Sequence, residues 1–269
     1  MRIGVVSLGF REWSLPQTLE LAAGVGAECL ELNTRPGVHQ NLSFAPNNLN
    51  QIQTWVAGAG MMITSLGGYN DFAQVEREAL EAQIEKLVDT CRLAADLGVP
   101  IVRAFAGDPK PGYTLADFWS GMVYAFQQVV HQIEPLGVTA AIENHGRLLN
   151  DGESLGRLVE EVGSAHVRLT LDTGNFCWAG HNTNVAQAYF DQLLPYVVSV
   201  HVKDGVWCGD TFHFVPAGQG ELDLAQLMQA LAVRGYNGPI CSEFEGEGDF
   251  LRGTQASVAY LRSLREQMR

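Results

Sequence analysis

The sequence predicts an α/β fold, and within that class a closed (β/α)8 barrel. Three observations carry this. Short apolar runs alternate strictly with longer amphipathic segments, the order expected of a parallel sheet with helical crossovers. Eight such strand–helix units occupy 269 residues, about 34 each, which suits one closed barrel better than an open doubly wound sheet. No shift in composition marks a boundary, so residues 1–269 read as a single barrel domain.

The elements follow in order. The first strand covers 3–8, and helix 16–25 opens on Pro16, whose fixed φ suits a first helical turn. Strand 29–33, helix 46–59 and strand 61–66 come next. Helix 75–97 has the clearest period: Leu80, Ile84, Leu87, Val88, Cys91 and Ala95 recur at three- and four-residue steps and form one apolar stripe. Strand 100–106, helix 114–136, strand 138–143, helix 153–162, strand 167–172, helix 184–194 and strand 197–202 follow. After a longer loop, helix 223–234, strand 239–244 and helix 250–265 complete the series. Gly98, Gly137 and Gly235 stand at helix-to-strand turns, where a left-handed residue ends a helix cheaply.

Composition narrows the function classes. Hydrophobic residues make up 46% of the chain and charged residues 17%, which excludes a disordered chain. Thirty acids against 17 lysines and arginines leave a net charge of −13, and no basic run interrupts the acidic balance. Phosphate backbones and anionic lipid surfaces repel such a chain, so neither nucleic acid nor a membrane is an expected partner. The five cysteines are widely spaced with no C-x-x-C, so neither a disulfide framework nor a zinc knuckle is expected. Residues 1–6 enter the first strand without an apolar signal core, and no apolar stretch approaches membrane-spanning length. A cytoplasmic protein is expected. No G-x-G-x-x-G follows the first strand, and neither a P-loop nor G-x-S-x-G occurs.

Strands of a parallel barrel are buried on both faces and should be continuously apolar. Four of them break this rule near their C-terminal ends, at Glu143, Asp172, His201 and Glu243. Two residues earlier stand Ala141, Thr170, Ser199 and Cys241, all small and all on the same face as the polar residue. The bulky Ile142, Leu171, Val200 and Val202 fall on the opposite face, toward the helices. All four polar residues therefore point inward at the end where barrel active sites lie. Three converging carboxylates repel one another, and one histidine does not balance them, whereas a divalent cation does. Three carboxylates and one imidazole suit Mn²⁺, Mg²⁺ or Co²⁺, and Zn²⁺ is also compatible. The competing reading is a set of separate ion pairs with nearby arginine or lysine.

At these residues the sequence resembles the xylose isomerase-like TIM barrels, the sugar phosphate isomerase/epimerase family. Ile142-Glu143-Asn144-His145, Leu171-Asp172-Thr173-Gly174-Asn175, His201-Val202-Lys203-Asp204 and Ser242-Glu243 are similar to the four metal-ligand motifs of that family, in their usual order. Gly218-Gln219-Gly220-Glu221-Leu222-Asp223 and Val102-Arg103-Ala104-Phe105-Ala106-Gly107 resemble two further family segments. The resemblance implies one divalent metal held by Glu143, Asp172, His201 and Glu243. It also implies that Glu143 and Glu243 face each other across a bound sugar, one removing the proton beside the carbonyl and the other returning one, through an enediolate that the metal stabilises. The implied activity is isomerisation or epimerisation of a small sugar, sugar phosphate or hydroxy-keto compound. A small-molecule carbohydrate is then the substrate, and a homodimer or homotetramer the assembly. An inosose-type dehydratase on the same scaffold and a non-catalytic sugar-binding barrel are the alternatives.

Four further residues are candidates for substrate binding. His145 shares a face with Glu143 and either touches substrate or anchors a loop. Asn175 stands where several relatives carry a substrate-binding histidine. Lys203 shares a face with His201 and either holds a substrate hydroxyl or phosphate or pairs with Asp204 or Glu245. Arg103 points to the barrel mouth or pairs with an acid such as Glu31. Trp13, Phe72, Trp178 and Trp207 are candidate apolar walls. Trp207 stands six residues after the metal histidine, where the ketose 3-epimerases carry a sugar-binding arginine, so the resemblance does not extend to that contact.

Overall fold

Parallel pairing joins β1 (Arg2–Val6), β2 (Cys29–Asn33), β3 (Met62–Gly67), β4 (Ile101–Ala104), β5 (Thr139–Glu143), β6 (Val167–Asp172), β7 (Val197–Val202) and β10 (Pro239–Ser242) into a closed ring. The computed structural model describes residues 1–268. β10 closes on β1, with Arg2 opposite Pro239 and Val5 opposite Ser242. The expected barrel is therefore the observed architecture. Eight helices accompany it: α1 (Leu15–Gly24), α2 (Leu49–Gly58), α3 (Arg77–Leu97), α4 (Leu115–Ile133), α5 (Gly152–Val162), α7 (Thr183–Leu193), α8 (Leu224–Val233) and α9 (Phe250–Gln267). A single extra turn, α6 (Asn175–Trp178), follows β6 directly.

Local chemistry explains where the helices begin and end. The side chains of Asp151, Asn182, Asp223 and Asp249 accept hydrogen bonds from the backbone N–H groups of Ser154, Val185, Gln226 and Arg252, so four helices start on a satisfied cap. α3 stops at Gly98, whose φ of 71° is left-handed. The stripe read along α3 is buried as expected, except that Ala94 is fully buried while Ala95 is only partly so. Between sheet and helices lies one apolar core. Ile142, Leu171, Val200 and Val202 contribute to it from the strands, and Leu87, Phe126, Leu158 and Leu227 from the helices. All five cysteines are free thiols. No helix among the described residues is long and apolar enough to cross a membrane.

The long loop expected after β7 is instead an antiparallel hairpin, β8 (Asp204–Cys208) and β9 (Thr211–Val215), outside the barrel. Its anchor is Asp204. The buried carboxylate accepts hydrogen bonds from the backbone N–H groups of Gly205, Gly218, Gly220 and Leu222, at 2.9, 2.9, 3.0 and 3.3 Å. A Cβ on Gly220 would lie 2.1 Å from Asp204 Oδ1, so the glycines of the 218–223 segment admit this carboxylate. The segment therefore has a structural role, tying the hairpin to the entry of α8.

Candidate active site

The polar residues singled out on the strands meet at the C-terminal end of the barrel. Glu143 and Asp172 are the last residues of β5 and β6, His201 is next to last in β7, and Glu243 follows β10 directly. Register brings them level: Asp172 and Cys241 lie opposite His201 on its two sides, and Glu243 is two residues beyond Cys241. Backbone pairing continues past the strand ends, with Thr173 N–H donating to His201 O and Glu243 N–H donating to Val202 O, both at 3.0 Å. One ligand atom from each of Glu143, Asp172, His201 and Glu243 lies within 4.8 Å of all the others.

Neighbouring groups hold these side chains in place. Asn144 binds the backbone of Asp172 twice, donating to its carbonyl at 2.9 Å and accepting from its N–H at 2.8 Å. Asp172 Oδ1 accepts from the N–H groups of Gly174 and Asn175, both at 2.9 Å. Its other oxygen, Oδ2, is buried and makes no hydrogen bond, and the same holds for Glu243 Oε2. Lys203 Nζ lies 3.3 and 3.2 Å from these two oxygens, within ion-pair range but without hydrogen-bond geometry. Buried carboxylate oxygens left without hydrogen bonds are costly in a protein interior. Two of them beside a third carboxylate and an imidazole fit a divalent cation held by all four residues.

The charge balance differs from the one expected, because two further cations are buried in the cluster. Arg103 reaches both Glu31 and Glu143, with Nε at 3.4 and 3.3 Å. Lys203 pairs with Glu245 at 2.9 Å as well as facing Asp172 and Glu243, whereas Asp204 is taken up by the hairpin. Burial alone would raise the Glu143 carboxyl, but Arg103 and His201 overcome it and hold it at about 2. Asp172 goes the other way: burial pushes it up to about 7 against the pull of Lys203. Burial disfavours a charged His201, yet Glu31, Glu143 and Glu243 together hold its pKa well above the ordinary value.

The candidate substrate contacts separate into two groups. Asn175 and Lys203 are buried within the cluster. Lys203 Nζ donates to Asn175 Oδ1 at 3.3 Å, and Asn175 Nδ2 lies 3.5 Å from Glu143 Oε1. Arg103 is buried too, sandwiched against Phe105 and Tyr69 with Cζ 4.1 and 4.7 Å from the ring centroids. His145 is exposed at the rim, its ring 4.5 Å from Phe105. A cavity of about 410 Å³ opens beside Glu243 and is also lined by Glu245, Leu8, Trp13 and Phe250. Of the candidate walls, only Trp13 lines it. Phe72 is core, edge-on to Phe126 at 4.8 Å, and Trp207 packs on Phe212 in the hairpin.

Glu31 is the cluster residue whose full role could not be read from the sequence. It was legible as an acid for Arg103, but its Oε2 also lies 3.0 Å from His201 Nε2, across 170 residues of sequence. Nothing in Cys29-Leu-Glu-Leu-Asn33 signals that partner.

With this geometry in view, comparison with known proteins settles the family. A family model described as the xylose isomerase-like TIM barrel matches residues 19–264. The chain belongs to that family. A 2-epi-5-epi-valiolone 7-phosphate 2-epimerase of an Actinoplanes species is 30% identical over 223 residues, covering 79% of this chain and 78% of the relative. Among solved structures, a D-tagatose 3-epimerase-like protein superposes with a TM-score of 0.80 at 20% identity, covering all of both chains. The IOLI protein with a bound zinc atom superposes at 0.81 and 18% identity, covering all of this chain and 99% of the other. At those identities the two structures bear on the fold.

Proposed function

We propose that the protein is a divalent-metal-dependent isomerase or epimerase of a small sugar, sugar phosphate or hydroxy-keto compound. The observation that carries this reading is the convergence of Glu143, Asp172, His201 and Glu243, with two buried carboxylate oxygens lacking hydrogen bonds, next to a cavity of about 410 Å³. That volume falls in the range of small-molecule sites. The 30% identical relative, named as an epimerase of a cyclitol phosphate, supports the same class.

The metal, when bound, would polarise a substrate carbonyl and its adjacent hydroxyl and so acidify the C–H bond on the carbon that bears that hydroxyl. Glu143 and Glu243 then serve as the proton-transfer pair. Each has its own cation, Arg103 at 3.3 Å from Glu143 and Lys203 at 3.2 Å from Glu243. A glutamate that takes a proton from substrate weakens its own ion pair, which favours giving the proton back. A base on one face of the carbon and an acid on the other inverts the centre. Asn175 and Lys203 would orient substrate oxygens beside that pair, His145 would touch substrate at the rim, and Arg103 would keep Glu143 ionised.

The test is solvent exchange. The Mn²⁺-treated protein is incubated in D2O with free ketoses, ketose phosphates and cyclic hydroxyketones, and NMR follows the hydrogen beside the carbonyl. Deuterium incorporation with retention of the carbon skeleton and all hydroxyls is expected, and it should stop on chelation. A dehydrated product would assign the protein to the lyases, and no exchange on any substrate class would end the proposal.

A further inference from the structure

We infer that Glu31 is a positioning residue that sets which ring nitrogen of His201 faces the metal ligands. The inference rests on the metal reading above. His201 lies between two sets of carboxylates. Its Nδ1 is 3.2 Å from Glu143 Oε1 and 3.3 Å from Glu243 Oε2, inside the candidate ligand group. Its Nε2 points the other way, 3.0 Å from Glu31 Oε2.

An ionised carboxylate only accepts hydrogen bonds, so the nitrogen that faces Glu31 must carry the proton. Without a metal, Nδ1 faces Glu143 Oε1 at 3.2 Å and carries a proton by the same rule; a bound cation would take that proton's place and leave a neutral imidazole with a single N–H. With that hydrogen on Nε2, the lone pair is on Nδ1, the nitrogen aimed at Glu143 and Glu243. The other tautomer would set the lone pair of Nε2 against a carboxylate oxygen and close Nδ1 to a cation.

Glu31 is itself held for this task. It is 1% exposed at the centre of β2, Ser65 Oγ donates to its Oε2 at 2.9 Å, and Arg103 Nε faces its Oε1 at 3.4 Å. Arg103 also faces Glu143, so one guanidinium supports both the orienting carboxylate and a ligand carboxylate. Carboxylates behind ligand histidines fix ring orientation and raise ligand basicity in metalloproteins generally.

The experiment compares the full-length wild type with E31Q, E31A and S65A. Each metal-free protein is titrated with Mn²⁺ by calorimetry, and its melting is recorded. Histidine 15N–1H correlation spectra of the Zn²⁺-loaded forms read the tautomer. The expected result is about 10- to 100-fold weaker Mn²⁺ binding in E31Q and E31A. S65A, which keeps the carboxylate and loses one support, should fall between these and the wild type. Zn²⁺-loaded wild type should carry the His201 proton on Nε2.

Wild-type Mn²⁺ affinity in folded E31Q, or a lower melting temperature with unchanged affinity, would overturn the inference while leaving the metal reading intact. So would a His201 proton on Nδ1. A wild type that takes up no Mn²⁺ would end both. Should E31Q and E31A fail to fold, S65A and the wild-type tautomer decide the question.

Discussion

The two faces of the same barrel strands are built to opposite rules. On the outer face, Ile142, Leu171 and Val200 are buried among apolar side chains. On the inner face, one residue away, Glu143, Asp172 and His201 are buried among charges. The outer face gains from every contact it makes, at roughly 25 cal/mol per Å² of apolar area removed from water. The inner face gathers like charges and leaves Asp172 Oδ2 and Glu243 Oε2 without hydrogen bonds. The difference separates what apolar packing explains from what it does not, since burial of hydrocarbon alone would not assemble the second face.

Substitutions on the two faces should therefore fail in different ways. The largest effect expected is on the inner face, where E243Q removes the proposed proton-transfer group and metal ligand. Exchange should fall by about 10²–10⁴-fold, with circular dichroism unchanged. A variant that keeps wild-type exchange would break the functional side of the contrast. On the outer face, L171A deletes a buried side chain beside Asp172 and should cost about 2–5 kcal/mol in urea unfolding. Its Mn²⁺ affinity at low denaturant should stay close to that of the wild type, and a large drop would show that the two faces are coupled.

Metal should act on the inner face alone. Mn²⁺ at 100 times its dissociation constant should add about 2.7 kcal/mol to unfolding stability, and EDTA should remove it. A melting temperature that does not move with Mn²⁺ would count against a metal held in the folded state.

The smallest effect concerns Glu28, which lies just before β2, away from the site. Its hydrogen bonds from Arg265, at 2.6 and 2.7 Å, hold its carboxyl below the usual range. A depressed folded pKa contributes stability above the unfolded value, about 4.3, and loses it as pH falls through the folded value. The glutamate side chain is 40% exposed, so solvent screening keeps the contribution under about 1 kcal/mol. E28Q should be less stable than the wild type at neutral pH, and the difference should shrink as pH falls below about 4.3 and vanish below the folded value in acid-unfolding curves.

Much of the site could be read in the sequence because a strand has a period of two. A carboxylate or imidazole that follows a small residue by two positions, on four strands, can be assigned an inward direction without coordinates. Pairings across the barrel could not be read this way. Lys203 was legible as a partner of Glu245, but not as a group buried against Asp172 and Glu243 as well. The hairpin also escaped notice. Its residues Gly205-Val206-Trp207-Cys208 do not alternate, and the carboxylate that organises it, Asp204, takes its hydrogen bonds from residues up to 18 positions away.

The sequence by itself determined the barrel, the order of its elements and the four residues that turn inward at its C-terminal end. Those follow from local periodicity and chain connectivity. Only the tertiary structure decided that Arg103 and Lys203 are buried within the carboxylates and that Glu31 stands behind His201. Closing the ring brings strands distant in the chain side by side, and the burial that follows makes each partner's charge and hydrogen bonds count.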